Sequence, residues 1–127
     1  MILDHDNGKP LYIQIAEWIE TEILRRNLTT HDKVYSQYQL ADMFTINPAT
    51  AAKGLNRLAD DEILYKKRGL GMFVSEKAEE MILSRRKALR LQQLVDDLVI
   101  EARHVYVELD EIIDMIKVAH EKEMEGK

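Results

Sequence analysis

The chain has 127 residues and no cysteine; 46% of the residues are hydrophobic, 32% are charged, and the formal net charge at pH 7 is −5. These values are typical of one globular domain, or of one small domain with a helical appendage, and they exclude disulfides, thiolate zinc sites and cysteine nucleophiles. No run of roughly 18 apolar residues is present, and acidic residues stand near Met1 where a signal peptide would be basic, so we expect a cytoplasmic protein.

The first predicted element is a helix that begins after Gly8-Lys9-Pro10, where proline suits the first helical position. Its apolar residues recur with the one-face spacing of an amphipathic helix: Tyr12, Ile15, Ala16, Ile19 and Ile23. We expect this helix to run to about Arg26, with Asn27 as a left-handed terminator. Trp18, with Tyr12 and Ile15, is interpreted as core.

Two helix starts follow at close spacing. Ser36 and Gln39 fit a capping box, which predicts a short helix to about Phe44. Asn47-Pro48 combines an N-cap side chain with proline at the first helical position. The intervening Thr45-Ile46 leaves room only for a tight turn, so the pattern predicts a helix-turn-helix.

The residues after this pair predict a β-hairpin. Two short β-prone runs, 63–67 and 72–74, flank the glycine-containing connection 68–71. A hairpin directly after the second helix of a helix-turn-helix is a wing.

The last third of the chain predicts a helical dimerisation region. Its apolar residues alternate spacings of four and three, which favours association between helices: Leu91, Val95, Leu98, Ala102, Val105, Leu109, Ile112, Ile116 and Ala119. Because Val105-Tyr106-Val107 forms helix poorly, we expect two helices over about 77–103 and 108–123, with one continuous helix as the alternative.

Four segments, taken in order, resemble the GntR family of regulators. They are Pro10–Ile15, Val34–Ala41, Ile46–Thr50 followed by Lys53, and Lys67–Val74. The third is similar to the small YtrA-type branch. The resemblance implies a mostly α fold with a small β-hairpin: a winged helix-turn-helix DNA-binding domain over 1–75 and a helical dimerisation or effector region over 76–127.

The chain departs from the family pattern at six positions. Tyr35 stands where the family usually has proline, Tyr38 where it usually has an arginine that contacts DNA, and Met72 where threonine is usual. Glycines usual in the family are replaced by Asn27, His31 and Glu62.

The predicted DNA-binding residues lie at the two helix starts, on the second helix and in the wing. They are Ser36, Gln37, Tyr38, Asn47, Pro48, Ala49, Thr50, Lys53, Arg57, Lys67, Arg68, Gly69 and Gly71. The start of the second helix faces base edges in the major groove, while cations and glycines of a wing suit close approach to the backbone. Two alternatives stay open: Asn47 and Ser36 as simple caps, and the two glycines as requirements of an ordinary hairpin turn.

The sequence predicts a dimeric transcription regulator that binds a palindromic operator as double-stranded DNA, and we expect it to act as a repressor. The resemblance also implies control of a transporter operon and an unidentified small-molecule effector. We expect no enzyme activity, no cofactor and no metal site, since the four histidines, His5, His31, His104 and His120, show no ligand spacing.

An alternative function is a helical protein–protein interaction module that uses the winged fold without specific DNA readout. The charge distribution bears on this choice. Residues 1–75 carry nine Lys/Arg and ten Asp/Glu, a net charge of −1, and residues 76–127 carry nine and thirteen, a net charge of −4. The acidity thus lies mainly outside the predicted DNA-binding domain. The net negative charge and the tyrosine at position 38 favour the interaction module, whereas a local group of cations favours the regulator: Lys53, Arg57, Lys67 and Arg68.

Overall fold

The computed structural model describes residues 3–4 and 8–126, and the chain divides into two compact units. The first ends at Ser84 and the second begins at Arg85. The division falls later than residue 75 because Ala78 and Ile82 are buried in the hydrophobic core of the first unit. We call the two parts the winged-helix unit and the C-terminal unit.

The winged-helix unit consists of helices packed around one central helix, with a hairpin at its end. Its elements are α1 (Leu11–Leu24), α2 (Gln37–Phe44), α3 (Pro48–Asp60), β1 (Leu64–Lys67), β2 (Gly71–Val74) and most of α4 (Ala78–Arg85). Helices α1 and α2 both pack on α3, and α3 also contacts β1. The largest fully buried side chains are Ile15, Ile19, Leu40, Leu58, Ile63, Leu64, Val74 and Ile82. The predicted fold class, mostly α with a small hairpin, is confirmed.

Both predicted helix starts in the helix-turn-helix are confirmed. At α2, the Ser36 hydroxyl accepts a hydrogen bond from the Gln39 N–H at 3.1 Å, and the Gln39 side-chain oxygen accepts one from the Ser36 N–H at 2.8 Å. At α3, the Asn47 side-chain oxygen accepts a hydrogen bond from the Ala49 N–H at 2.8 Å. These bonds satisfy amide groups that have no partner within the helix.

Helix α1 ends at Leu24, two residues before the predicted end, and the predicted left-handed position is wrong by one residue. Arg26, not Asn27, has the left-handed conformation, with φ of 63°. The N–H of Asn27 donates to the Glu22 carbonyl at 2.9 Å, and this long bond across the helix end requires the preceding residue to be left-handed.

Three further helix ends place a non-glycine residue in the same left-handed region. They are Thr45 after α2, Glu62 after α3, and Tyr106 after the fifth helix, with φ of 55°, 62° and 58°. A β-carbon is disfavoured in this conformation, so each position carries strain that glycine would relieve.

The hairpin forms the wing and is extended by one neighbouring segment. Strands β1 and β2 pair antiparallel from Leu64 opposite Val74 to Lys67 opposite Gly71. Lys33 adds a single bridge to Phe73 on the other side of β2. The turn before Lys33 is held by Asp32, whose carboxylate accepts hydrogen bonds from the Thr29 N–H and hydroxyl; these bonds lower the pKa of Asp32 below its usual value.

The C-terminal unit contains a π-helical turn (Arg86–Leu91), α5 (Gln92–His104) and α6 (Leu109–Glu125). The predicted break near Val105-Tyr106-Val107 is confirmed, because Tyr106 is left-handed and the Val107 N–H donates to the Ala102 carbonyl at 2.8 Å. No helix in the described part of the chain is long and apolar enough to cross a membrane.

Helix α1 approaches α3 most closely at Gly54. A β-carbon added to this buried glycine would lie 2.8 Å from the Tyr12 carbonyl oxygen and 3.1 Å from a methyl carbon of Ile15. The missing side chain therefore sets how near the two helices lie.

We expect Gly54→Ala to lower the free energy of unfolding by about 1–3 kcal/mol, because the added methyl group must separate two backbones. Thermal and denaturant unfolding at one protein concentration measure the change. Gly126→Ala is the control, since its β-carbon would meet nothing nearer than 3.4 Å. A Gly54 variant as stable as the parent would contradict the close approach.

We expect Glu62→Gly to raise the free energy of unfolding by about 1 kcal/mol, because glycine adopts the left-handed conformation without a steric penalty. Asp60→Gly, two residues earlier in the last turn of α3, is the matched control and should lower stability by about 1 kcal/mol. Equal effects of the two glycines would show that Glu62 is not strained.

Candidate nucleic-acid interface

Helix α3 divides its surface between the core and solvent. Ala51, Gly54, Leu55 and Leu58 are buried against the rest of the winged-helix unit. The opposite side leaves these residues exposed: Asn47, Ala49, Lys53, Asn56 and Arg57. The exposed side is polar, carries two cations one turn apart, and includes the helix start, which are the features of a recognition helix.

The first turn of α3 combines capping with exposure. Pro48 and Thr50 are half-buried, whereas Asn47 and Ala49 are exposed. The Asn47 oxygen already accepts the Ala49 N–H, so bidentate reading of an adenine would require the same oxygen to serve both partners. The side-chain nitrogen of Asn47 takes no part in the capping hydrogen bond.

A shallow hollow of about 600 Å³ lies along the exposed side of α3. It brings together Tyr12 and Asn56 with four predicted DNA-binding residues: Gln37, Ala49, Lys53 and Arg57. Asp60 and Asp61 border the same hollow near the end of α3. Lys53 lies near the middle of α3, whereas Arg57 shares the last turn with the acidic residues.

Tyr12 belongs to this surface, which corrects its interpretation as core. It is half-buried and lines the hollow, and the Lys53 ammonium lies 4.2 Å from the centroid of its ring. Trp18 and Ile15 do pack inward: Ile15 is fully buried, and the Trp18 ring meets the Phe44 ring edge to face at 5.1 Å between centroids.

The start of α2 presents Ser36, Gln37 and Tyr38 beside α3. The Ser36 hydroxyl is used by the capping box, and Tyr38 is 70% exposed. Its hydroxyl is therefore accessible to a phosphate at the position where the family usually has arginine.

The wing tip is formed by Arg68, Gly69 and Leu70. The Leu70 N–H donates to the Lys67 carbonyl at 2.9 Å, and Gly69 has φ of 78°, a conformation that favours glycine. Arg68 and Leu70 are exposed at this tip. A cation and a glycine at the tip suit approach to a DNA backbone.

Lys67 lies further back on the wing than Arg68. Its ammonium is 4.8 Å from the centroid of the Phe73 ring and 5.9 Å from that of Tyr65. The two rings stack with centroids 5.8 Å apart. The wing therefore holds Lys67 on an aromatic surface, while Gly71, with φ of 111°, leaves space that the Lys33 side chain approaches.

A second cleft, of about 340 Å³, joins the start of α2 to α3 and the wing. Four predicted residues line it: Ser36, Gln37, Tyr38 and Gly71. The lining residues not predicted as DNA-binding include Lys33, Asn56 and Lys66. Asn56 could have been found from its spacing, because it follows Lys53 by three residues on one helix face. Lys33 and Lys66 depend on strand pairing, which local sequence does not reveal.

The residues predicted for dimerisation divide into two groups. Ala102 and Ile112 are buried within the single chain, at 5% and 7% exposure. The others present exposed apolar side chains: Leu91, Val95, Leu98, Val105, Leu109 and Ile116. The exposed group is the part of the stripe that a partner could cover.

The histidines form no metal site within residues 3–4 and 8–126, where no three side chains of His, Asp or Glu converge. His31 instead contacts the Tyr65 hydroxyl at 2.7 Å and a Glu76 carboxylate oxygen at 3.2 Å. His5 lies outside the described residues.

Comparison with known proteins identifies the family of the chain. Residues 11–74 match the family described as bacterial regulatory proteins, gntR family. The HTH-type transcriptional repressor YtrA of Bacillus subtilis (strain 168) is 29% identical over 115 residues, which are 91% of this chain and 88% of YtrA. This coverage of nearly the whole length of both chains confirms the predicted YtrA-type branch.

Solved structures agree with the fold. A GntR family transcriptional regulator from Listeria monocytogenes superposes with a TM-score of 0.69 and 28% identity, covering 88% of this chain and 96% of that one. The DNA-binding domain of AraR, solved in complex with operator ORX1, shares the fold with a TM-score of 0.55 and 24% identity, covering 59% of this chain and 95% of that one.

These proteins are transcriptional regulators and not enzymes, as the sequence predicted. The family match includes α1, α2, α3 and the wing, which are the elements that present the exposed side of α3. The chain is a transcriptional regulator of the GntR family.

Proposed function

We propose that this protein is a dimeric repressor that binds a palindromic operator through α3 and the wing of each copy. The observation that carries the proposal is the exposed side of α3, where Lys53, Asn56 and Arg57 line one hollow. A domain of the same fold, that of AraR, was solved with its operator.

In this mechanism, cations anchor the DNA backbone and the start of α3 reads bases. Lys53 and Arg57 neutralise phosphates or contact base edges from the helix, while Arg68 approaches the backbone from the wing. The formal charge of −5 does not oppose this mechanism evenly along the chain, because residues 1–75 account for only −1 of it.

We propose that a second copy of this chain covers the apolar stripe of the C-terminal unit. Six predicted dimerisation side chains are exposed there, from 37% for Leu98 to 65% for Leu109. An apolar face this wide is unfavourable in water and marks an interface. Two copies also match the symmetry of a palindrome, since one α3 reads one half-site.

Control of a transporter operon and response to a small-molecule effector belong to the proposal on the strength of the family resemblance. Sequencing the genomic fragments bound by the purified protein identifies the operator and the neighbouring genes together. Sites enriched without a common palindrome would contradict sequence-specific binding by a dimer and would favour the interaction module.

We expect Arg68→Ala to weaken operator binding and to lower the slope of log K against log salt concentration by about one per copy, because each copy loses one phosphate contact. Gel shifts across a salt series measure both quantities. Arg25→Ala is the control: it removes an exposed cation about 20 Å further along α1 than Tyr12 and should change neither. An unchanged slope for the Arg68 variant would contradict the role of the wing.

We expect Leu98→Asp to shift the full-length protein from dimer to monomer, because the charge would be buried at the interface. Ile100→Asp is the matched control, since position 100 lies about 200° around α5 from position 98. Sedimentation velocity measures the oligomeric state. Dissociation by both variants, or by neither, would contradict the assignment of this stripe to the dimer.

A further inference from the structure

The ring of Tyr12 is the nearest described aromatic partner of the Lys53 ammonium. The two stand 4.2 Å apart, centroid to nitrogen, although they come from different helices. Lys53 is exposed and has a long, flexible stem, whereas Tyr12 is half-buried and its side chain has fewer rotatable bonds. The contact holds the lysine, and not the tyrosine, in one orientation.

The contact depends on the close approach of α1 and α3. Gly54, the residue after Lys53, lies against the Tyr12 backbone without a side chain between them. The start of α1 therefore reaches the side of α3 that carries Lys53, and the Tyr12 ring forms part of the hollow that also contains Gln37, Asn56 and Arg57.

We propose that Tyr12 is a positioning residue for operator binding, which orients Lys53 toward the DNA. This inference rests on the proposed function of the α3 surface. The ammonium has three N–H donors, and a ring that faces one side of it leaves the others directed to solvent, where a phosphate or a guanine edge would lie.

The Tyr12 ring would raise DNA affinity by preorganising the Lys53 side chain before DNA binds. A free lysine loses side-chain freedom when it binds DNA, whereas a lysine already held on a ring has lost part of that freedom in the unbound protein. A cation–π contact at an exposed site changes an equilibrium constant about two- to fivefold. Two copies on a palindrome would raise the effect to about five- to twentyfold, because the two contributions multiply.

The test is a double-mutant cycle on full-length protein. Tyr12→Leu and Tyr12→Phe are each made alone and with Lys53→Ala, and affinity is measured on a duplex recovered from the genomic fragments and on a random duplex of equal length. Tyr12→Phe, which keeps the ring, should bind within about twofold of the parent. Tyr12→Leu should lose about five- to twentyfold, and this loss should vanish in the Lys53→Ala background.

The salt dependence separates positioning from direct contact. Lys53→Ala should lower the salt slope by about one per copy, whereas Tyr12→Leu should leave it unchanged because the cation remains. A loss from Tyr12→Leu that persists without Lys53, or a lowered slope, would overturn the positioning role. A parent protein that binds no duplex would instead overturn the proposed function.

A second series keeps the test valid if Tyr12→Leu unfolds the protein. Phenylalanines with increasing ring fluorination at position 12 retain size and packing but weaken the negative face of the ring. Affinity should fall stepwise with fluorination in the presence of Lys53 and stay constant in Lys53→Ala. A flat series with Lys53 present would overturn the proposal.

Discussion

The packing of α3 is the constraint on which the rest of the winged-helix unit depends. One side of this helix must bury Ala51, Gly54, Leu55 and Leu58, while the other must stay polar and exposed. Both requirements are met because α1 and α2 pack on the same side and Gly54 lets α1 come close. A bulkier residue there would move the start of α1 away from the surface that presents Lys53.

Features set by short-range hydrogen bonds could be predicted from the sequence. The capping box at Ser36 and the cap at Asn47 each involve residues two or three apart, so their residue types alone indicate the start of a helix. The break near Tyr106 followed in the same way from poor helix formers. The order of the helices, the wing and the family all followed from such local patterns.

Features set by tertiary contact could not be predicted. Tyr12 has the spacing of a core residue, and only the neighbouring α3 shows that its ring meets solvent and Lys53. The extent of the first unit depends on Ala78 and Ile82, which lie beyond the last predicted strand but pack into its core. Arg26, and not Asn27, is the left-handed residue because the hydrogen bond from the Asn27 N–H to the Glu22 carbonyl sets the position. The greater tolerance of asparagine for this conformation did not decide it.

Four helix ends in this protein carry a non-glycine residue in the left-handed conformation, and these residues limit where the backbone can change conformation. Arg26, Thr45, Glu62 and Tyr106 occupy positions where glycine is the usual choice, and their β-carbons also restrict the unfolded chain, which offsets part of the strain. Of the five glycines in the sequence, two lie in the wing, at Gly69 and Gly71. The ends of α1, α2 and α3 are therefore closed by residues with narrow conformational ranges, whereas the wing uses glycine at its two positive-φ positions. When the protein binds DNA, a change of backbone conformation would therefore occur in the wing, whereas the recognition helix α3 is already folded.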